Sequence, residues 1–171
     1  MSVKAQLILN DGTQFSGKSF GYEKSSAGEV VFNTAMVGYP ESLTDPSYKG
    51  QILILTYPLI GNYGSPSEAE NCGIPSFLES GDIHISGLII SDYSFNYSHW
   101  NAAKSLGDWL KEHRIPALFD IDCRTLTKKI REKGNLLGKI VFDENNIDFY
   151  NPNLDNLVKD VSIKEKIIYG T

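Results

Sequence analysis

Cysteine and histidine are scarce in this chain: two of the first, Cys72 and Cys123, and three of the second, in 171 residues. Two cysteines cannot build the disulfide framework of a small secreted domain. They cannot make a four-ligand zinc site without His or carboxylate help, and no Cys/His cluster has metal-ligand spacing. A reducing, cytoplasmic setting is therefore expected. Positive charge is also short. A net charge of −5 argues against a nucleic-acid groove, which needs a basic stripe. No apolar window approaches the length of a membrane span. The opening MSVKAQLILN has too short an apolar run for a signal peptide, and it lacks the Arg-rich, acid-poor look of a transit peptide. Neither nucleic acid nor membrane is expected as a partner. The Walker loop, G-x-G-x-x-G and H-E-x-x-H are missing as well. No pair of carboxylates stands out for acid–base work.

What is present supports one α/β domain with a sizeable core: 41% of residues are hydrophobic and 22% charged. Ala5–Asn10 and Thr13–Phe20 flank Asp11-Gly12, the strongest short hairpin signal. Inside the second arm, Gly17-Lys18-Ser19-Phe20-Gly21 matches the G-x-S-x-G nucleophile elbow. That elbow must follow a buried strand and open a helix. Here it follows a hairpin arm, so a serine hydrolase built on Ser19 is a rival reading rather than the main one.

Glu29–Thr34 and Gln51–Thr56 read as buried strands. Between them lie Gly38, Tyr39, Pro40, Ser42, Thr44, Asp45, Pro46, Ser47 and Tyr48. The prolines fix φ and bias the residues before them to extended geometry, which predicts a rigid polar loop. Such a loop between buried strands presents groups to a ligand or partner. Asp45 in Thr-Asp-Pro-Ser reads as a turn-capping residue rather than a catalytic acid.

Ser65–Asp82 is loop-like, with one helical turn expected at Ser67–Asn71. Cys72 lies there with no His or basic neighbour to activate it. Ile83–Ser91 is a third buried strand, and His84 at its start reads as a structural residue. Phe95, Tyr97, His99 and Trp100 are expected to pack over a sheet edge. Base stacking is the weaker alternative, since no basic residues are interleaved. The sequon Asn96-Tyr97-Ser98 reads as chance in a cytosolic chain.

Ser98 is a fair cap for a helix running to Arg114, with Trp100, Ala103, Leu106, Trp109 and Leu110 on its apolar side. Ala117–Asp120 reads as a short strand. Asp122 should cap a second helix, Cys123–Lys133, closed by Gly134, with Cys123, Leu126 and Ile130 inward. Arg124, Lys128, Lys129, Arg131 and Lys133 make residues 123–133 the most basic stretch. They read either as a solvated face suited to a helix C-terminus or as a patch for an acidic partner. Leu136–Phe142 is a last strand, and Leu154–Val161 a short helix.

Several long, low-degeneracy words now come together. Leu43-Thr44-Asp45-Pro46-Ser47-Tyr48 and Gly61-Asn62-Tyr63-Gly64 are two. LNDGTQFSGKSFG, DIDCRTLTKKIREKG and VKDVSIKE add three more. In order and spacing, the chain resembles the N-terminal domain of the small, glutamine-using part of carbamoyl-phosphate synthetase, most of all its eukaryotic multifunctional form. The resemblance covers nearly the whole chain. It implies a three-layer β/β/α domain over 1–161, with 162–171 a linker towards a glutaminase domain. It implies a non-catalytic role, with no cofactor and no metal here, inside a ligase that uses ATP and Mg. That ligase would make carbamoyl phosphate for pyrimidine or arginine biosynthesis. The implied partners are the glutaminase and synthetase domains. Ser47 is the one residue the resemblance assigns to substrate, as a contact to L-glutamine bound next door. Cys72 and Cys123 do not match the glutaminase elbow, so neither is a nucleophile.

Overall fold

The computed structural model describes residues 2–71, 73–142, 147–166 and 168. In it the Asp11-Gly12 turn joins β1 (Lys4–Leu9) to β2 (Gln14–Ser19) as the expected antiparallel hairpin. β1 alternates, turning Ala5, Leu7 and Leu9 inward and Lys4 and Gln6 out. The chain continues with β3 (Ser26–Asn33), α1 (Tyr39–Thr44), a 3-10 turn at Pro46–Tyr48 and β4 (Gln51–Leu55). The short strands β5 (Ser65–Pro66), β6 (Glu70–Asn71) and β7 (Ile74–Pro75) precede β8 (Gly87–Ile90) and β9 (Ala102–Lys104). Then come α2 (Leu106–Glu112), β10 (Ala117–Phe119), α3 (Cys123–Lys133) and β11 (Leu136–Phe142). A 3-10 turn at Pro152–Leu154 leads to α4 (Leu157–Val161).

The α/β class is as expected, and seven strands close into a barrel in the order β1-β11-β3-β4-β8-β10-β2. β3, β4, β8 and β10 run parallel to one another. β1, β2 and β11 complete the circuit with antiparallel pairings. β4 and β8 read as continuous apolar runs because both their faces are covered. Ile52 and Ile54 of β4 join one core, which takes in the other barrel strands and Cys123, Leu126 and Ile130 of α3. Leu53 and Leu55 point the other way, to a second core with Tyr39 and Leu43 of α1 and Leu106, Trp109 and Leu110 of α2. α2 has seven residues, too few to hold as an isolated helix. Complete burial of Leu106 and Leu110, and near-complete burial of Trp109, is what sustains it.

Four expectations are corrected. The Gly38–Tyr48 stretch is a helix and a 3-10 turn rather than a loop. Pro40 and Pro46 stand in first turns, where a missing N–H is no loss. The Ser98–Arg114 helix is confined to α2. Ser105 caps it by accepting from Asp108 N at 3.0 Å, while residues 102–104 pair with Ser65–Pro66 instead. Ser67–Asn71 has no helical turn, because Glu70–Asn71 pairs across a turn with Ile74–Pro75. The last helix begins at Leu157, where Asn156 caps it by accepting from Lys159 N. Cys72 lies outside the described residues, as do residues 167 and 169–171 of the expected linker.

Candidate functional site

The Asp45–Tyr48 turn is built by its own polar atoms. Asp45 Oδ1 accepts from Ser47 N at 2.8 Å, as its reading as a turn cap implies. Tyr48 N donates to the Asp45 carbonyl and Lys49 N to the Pro46 carbonyl, both at 3.1 Å. Ser47 is exposed, and its hydroxyl has no partner among the described residues.

α1 leads into this turn and is clamped from three sides. Gly38 N and Tyr39 N donate to Tyr63 Oη at 2.9 and 3.2 Å. The Tyr39 and Tyr63 rings stack with centroids 4.2 Å apart, and Tyr39 Oη donates to the Gly64 carbonyl. Gly38–Tyr48 and Gly61–Gly64 are therefore one unit. Burial pushes both phenols upward, so both stay neutral. On the second side, Thr44 Oγ1 accepts from Glu79 N at 3.1 Å, and Ser80 Oγ donates to the Thr44 carbonyl at 2.7 Å. Ser80 Oγ also lies 3.0 Å from His84 Nε2. Burial and the Lys49 charge lower the His84 pKa, which fits the structural role read for it. On the third side, Asn33 Nδ2 donates to Ser42 Oγ at 3.3 Å and to Tyr48 Oη at 3.4 Å.

After the turn the backbone is again fixed. A Cβ on Gly28 would stand 2.3 Å from the Gly50 carbonyl oxygen, and Gly50 itself, at φ 79°, lies against Pro152. Ser47 thus projects one free donor and acceptor from backbone that cannot shift much. Asp45 is engaged to backbone and offers Ser47 no general base within the turn.

The other candidates fare differently. Ser19 ends β2, is 7% exposed, and its Oγ is buried without a partner among the described residues. It belongs to a hairpin, not a strand-to-helix turn, so the elbow reading falls. Cys123 opens α3 fully packed, and burial, followed by the charges of Asp122 and Asp92, pushes its thiol up to about 12. It is inert at neutral pH. α3 has the predicted bounds, with Asp122 Oδ1 accepting from Thr125 N at 2.9 Å. Of its five cations, Lys129 and Lys133 bind Asp11 Oδ2 at 2.8 and 2.9 Å, and Arg131 lies over the Phe32 ring at 5.2 Å. The two lysines hold the Asp11 carboxyl well below the usual range. Arg124 and Lys128 remain exposed.

Of the aromatic loop, Phe95 packs on Tyr93 and on Phe119 of β10, a strand inside the closed barrel rather than at the expected sheet edge, and Trp100 is 84% exposed. Sequence reasoning missed the Tyr39–Tyr63 clasp and the role of Glu68. Glu68 accepts from Trp109 Nε1 at 2.7 Å and lies 3.0 Å from His113 Nε2. An acidic residue in a loop carries no signal of such a partner.

Residues 7–140 match the family model of the carbamoyl-phosphate synthase small chain, CPSase domain. The chain is 51% identical to mitochondrial carbamoyl-phosphate synthase (ammonia) of Homo sapiens, over 99% of this chain and 12% of that protein. It is 56% identical to multifunctional protein CAD of Squalus acanthias, over 96% of this chain and 8% of that protein. To multifunctional protein pyr1-3 of Dictyostelium discoideum it is 54% identical, over 95% and 8%. The chain thus spans about a tenth of the length of these relatives. A likeness to an aminopeptidase from Aneurinibacillus, with a TM-score of 0.42 and 9% identity over 83% of this chain and 32% of that one, is too slight to bear on function.

Proposed function

Because the chain belongs to the carbamoyl-phosphate synthase small-chain family, we propose that it is the non-catalytic domain joining a glutaminase to a synthetase. In this reading the parent ligase turns glutamine, bicarbonate and two ATP, with Mg, into carbamoyl phosphate for pyrimidine or arginine biosynthesis. The setting is cytoplasmic, in keeping with a free, buried Cys123. No helix among the described residues is long and apolar enough to cross a membrane. The three-layer β/β/α stacking belongs to the same reading: two walls of the barrel would be the β layers, and the helices outside them the third.

The observation that carries the proposal is the Ser47 hydroxyl, exposed and without a partner among the described residues, on a turn fixed by its own hydrogen bonds. A hydroxyl fixed in this way loses little freedom when it contacts a ligand held by a neighbouring domain. Ser47 is the proposed contact to L-glutamine. Exposed Met36 and Val37, 68% and 75% accessible just before α1, add an apolar surface for the neighbouring domains.

One relative is named for ammonia and others for their multifunctional chains, so the decisive experiment reads both nitrogen donors. In the full-length parent, Ser47→Ala should raise the KM for glutamine about three- to tenfold, the value of one hydrogen bond. Synthesis from added ammonia should not change. An unaltered glutamine response removes Ser47 from the site. Equal loss with both donors makes it structural.

A further inference from the structure

We propose that the cleft beside α3, at the C-terminal ends of β3 and β4, binds a phosphate-bearing small molecule. Ser47 precedes β4 and this cleft follows it, so the two proposals stand apart. The cleft has a volume of about 360 Å³ and is lined by Thr34, Thr56, Arg124, Thr127, Lys128 and Arg131. It has three cations, three threonines and no carboxylate, in a chain of net charge −5.

The placement of the cations is not explained by helix stability. Arg131 suits the negative end of α3, but Arg124 stands in the first turn, where the helix field repels a cation. Arg124 and Lys128 are also like charges at i and i+4, which opposes the helix. Neither forms an ion pair among the described residues, Arg124 acting on the capping Asp122 carboxyl only as a minor influence, whereas Lys129 and Lys133, on the adjoining face, share Asp11. α3 therefore separates its charge into a neutralised side and an unneutralised one. An anion in the cleft removes that repulsion.

The sheet supplies the rest. β3 and β4 are parallel, and their last registered pair is Asn33 with Leu55. Thr34 and Thr56 are the next residues of each strand, held together by Thr56 N donating to the Asn33 carbonyl at 3.2 Å. Threonines and guanidinium side chains thus line one cleft at the carboxyl ends of parallel strands, where ligands enter α/β sheets, with Thr56 Oγ1 itself donating to the Asn33 carbonyl at 3.4 Å. Arg131, held over the Phe32 ring at 5.2 Å, is partly oriented in advance. Arg is suited to phosphate by its planar fork of donors. Three cations match a di- or trianion better than a single carboxylate. The volume falls in the range of small-molecule sites and exceeds the needs of one phosphate ion.

The test is a titration of the 171-residue chain, followed by amide NMR at fixed ionic strength, with inorganic phosphate, pyrophosphate and ATP as probes. Saturable shifts at Thr34, Thr56 and Thr127 are expected with pyrophosphate or ATP. A response to pyrophosphate equal to that with ATP assigns recognition to the phosphates alone, and a stronger response to ATP adds the organic part. The exposed pair Arg124→Gln/Lys128→Gln should weaken binding at least about tenfold, while Lys111→Gln should leave it unchanged. Three outcomes overturn the site. One is no saturation with any probe. Another is shifts scattered over all lysine-bearing surfaces and equal in both variants. The third is a response to an acidic peptide but to none of the phosphates.

Discussion

α1 with its following turn, and α3, are both helical segments set against the same parallel strands, and both use an aspartate to start a turn. They spend their polar groups in opposite ways. Around α1, Tyr39, Tyr63, Thr44, Ser42 and Asp45 are all hydrogen-bonded within the fold, leaving one hydroxyl, Ser47, facing outward. Along α3 the backbone is regular, and the outward groups are charges. The first region offers position and the second offers field. A single neutral hydroxyl is useful only if it is held still, because one hydrogen bond is worth little against the freedom lost in making it. A set of cations attracts an anion from any nearby geometry, so it needs less scaffolding.

The largest expected effect comes from loosening the first region. Tyr39→Phe strips the Gly64 carbonyl of its donor and should cost about 2 kcal/mol in urea unfolding, the usual loss for a buried acceptor left unpaired. It should also raise the glutamine KM of the parent as Ser47→Ala does, through positioning alone. Unchanged stability would show that the clasp is not what fixes α1.

On the α3 side the effect should be smaller and dependent on pH. Asp11 has a folded pKa below its unfolded value of about 4. Its ion pairs therefore contribute fully above that value, and the contribution is lost as pH falls through the folded pKa. Because these are surface pairs, Asp11→Asn should cost less than about 1 kcal/mol at pH 7, and less still in high salt. The gap between variant and parent should close in acid. A gap that widens as pH falls would contradict the ion-pair account.

The smallest effect is expected at Thr127, whose buried hydroxyl has no partner among the described residues. Thr127→Val keeps the shape and removes an unsatisfied group, so stability should stay within about 0.5 kcal/mol or rise. A loss above about 1.5 kcal/mol would mean that the hydroxyl is hydrogen-bonded through water.

Sequence reasoning reads well what is local. Asp122 and Gly134 bracket α3, Asp11-Gly12 marks the hairpin, and Leu136–Phe142 is bounded as observed, because caps, turns and apolar runs act within a few residues. It reads poorly what is settled at a distance. β11 inserts between β1 and β3, and residues 102–104 leave a helical pattern to pair with Ser65–Pro66. In the site, the Asp45 turn is legible in Thr-Asp-Pro-Ser, whereas Ser47 owes its proposed role to family resemblance. The Tyr39–Tyr63 clasp is not legible, since ring stacking leaves no periodicity. Likewise the cations of α3 are plain in the sequence, but Thr34 and Thr56 meet only through the register of two parallel strands.

The barrel closure carries a consequence for synthesis. Ala5 pairs with Phe142, so one edge of β1 stays open until nearly the whole barrel has emerged. At typical translation rates of about 5–20 residues per second, that wait is on the order of ten seconds. Until then β1 is an unpaired template beside its hairpin partner, the kind of edge on which chains aggregate. Lys4 and Gln6, on the outer face of β1, are what the nascent chain has to keep that edge soluble while it waits.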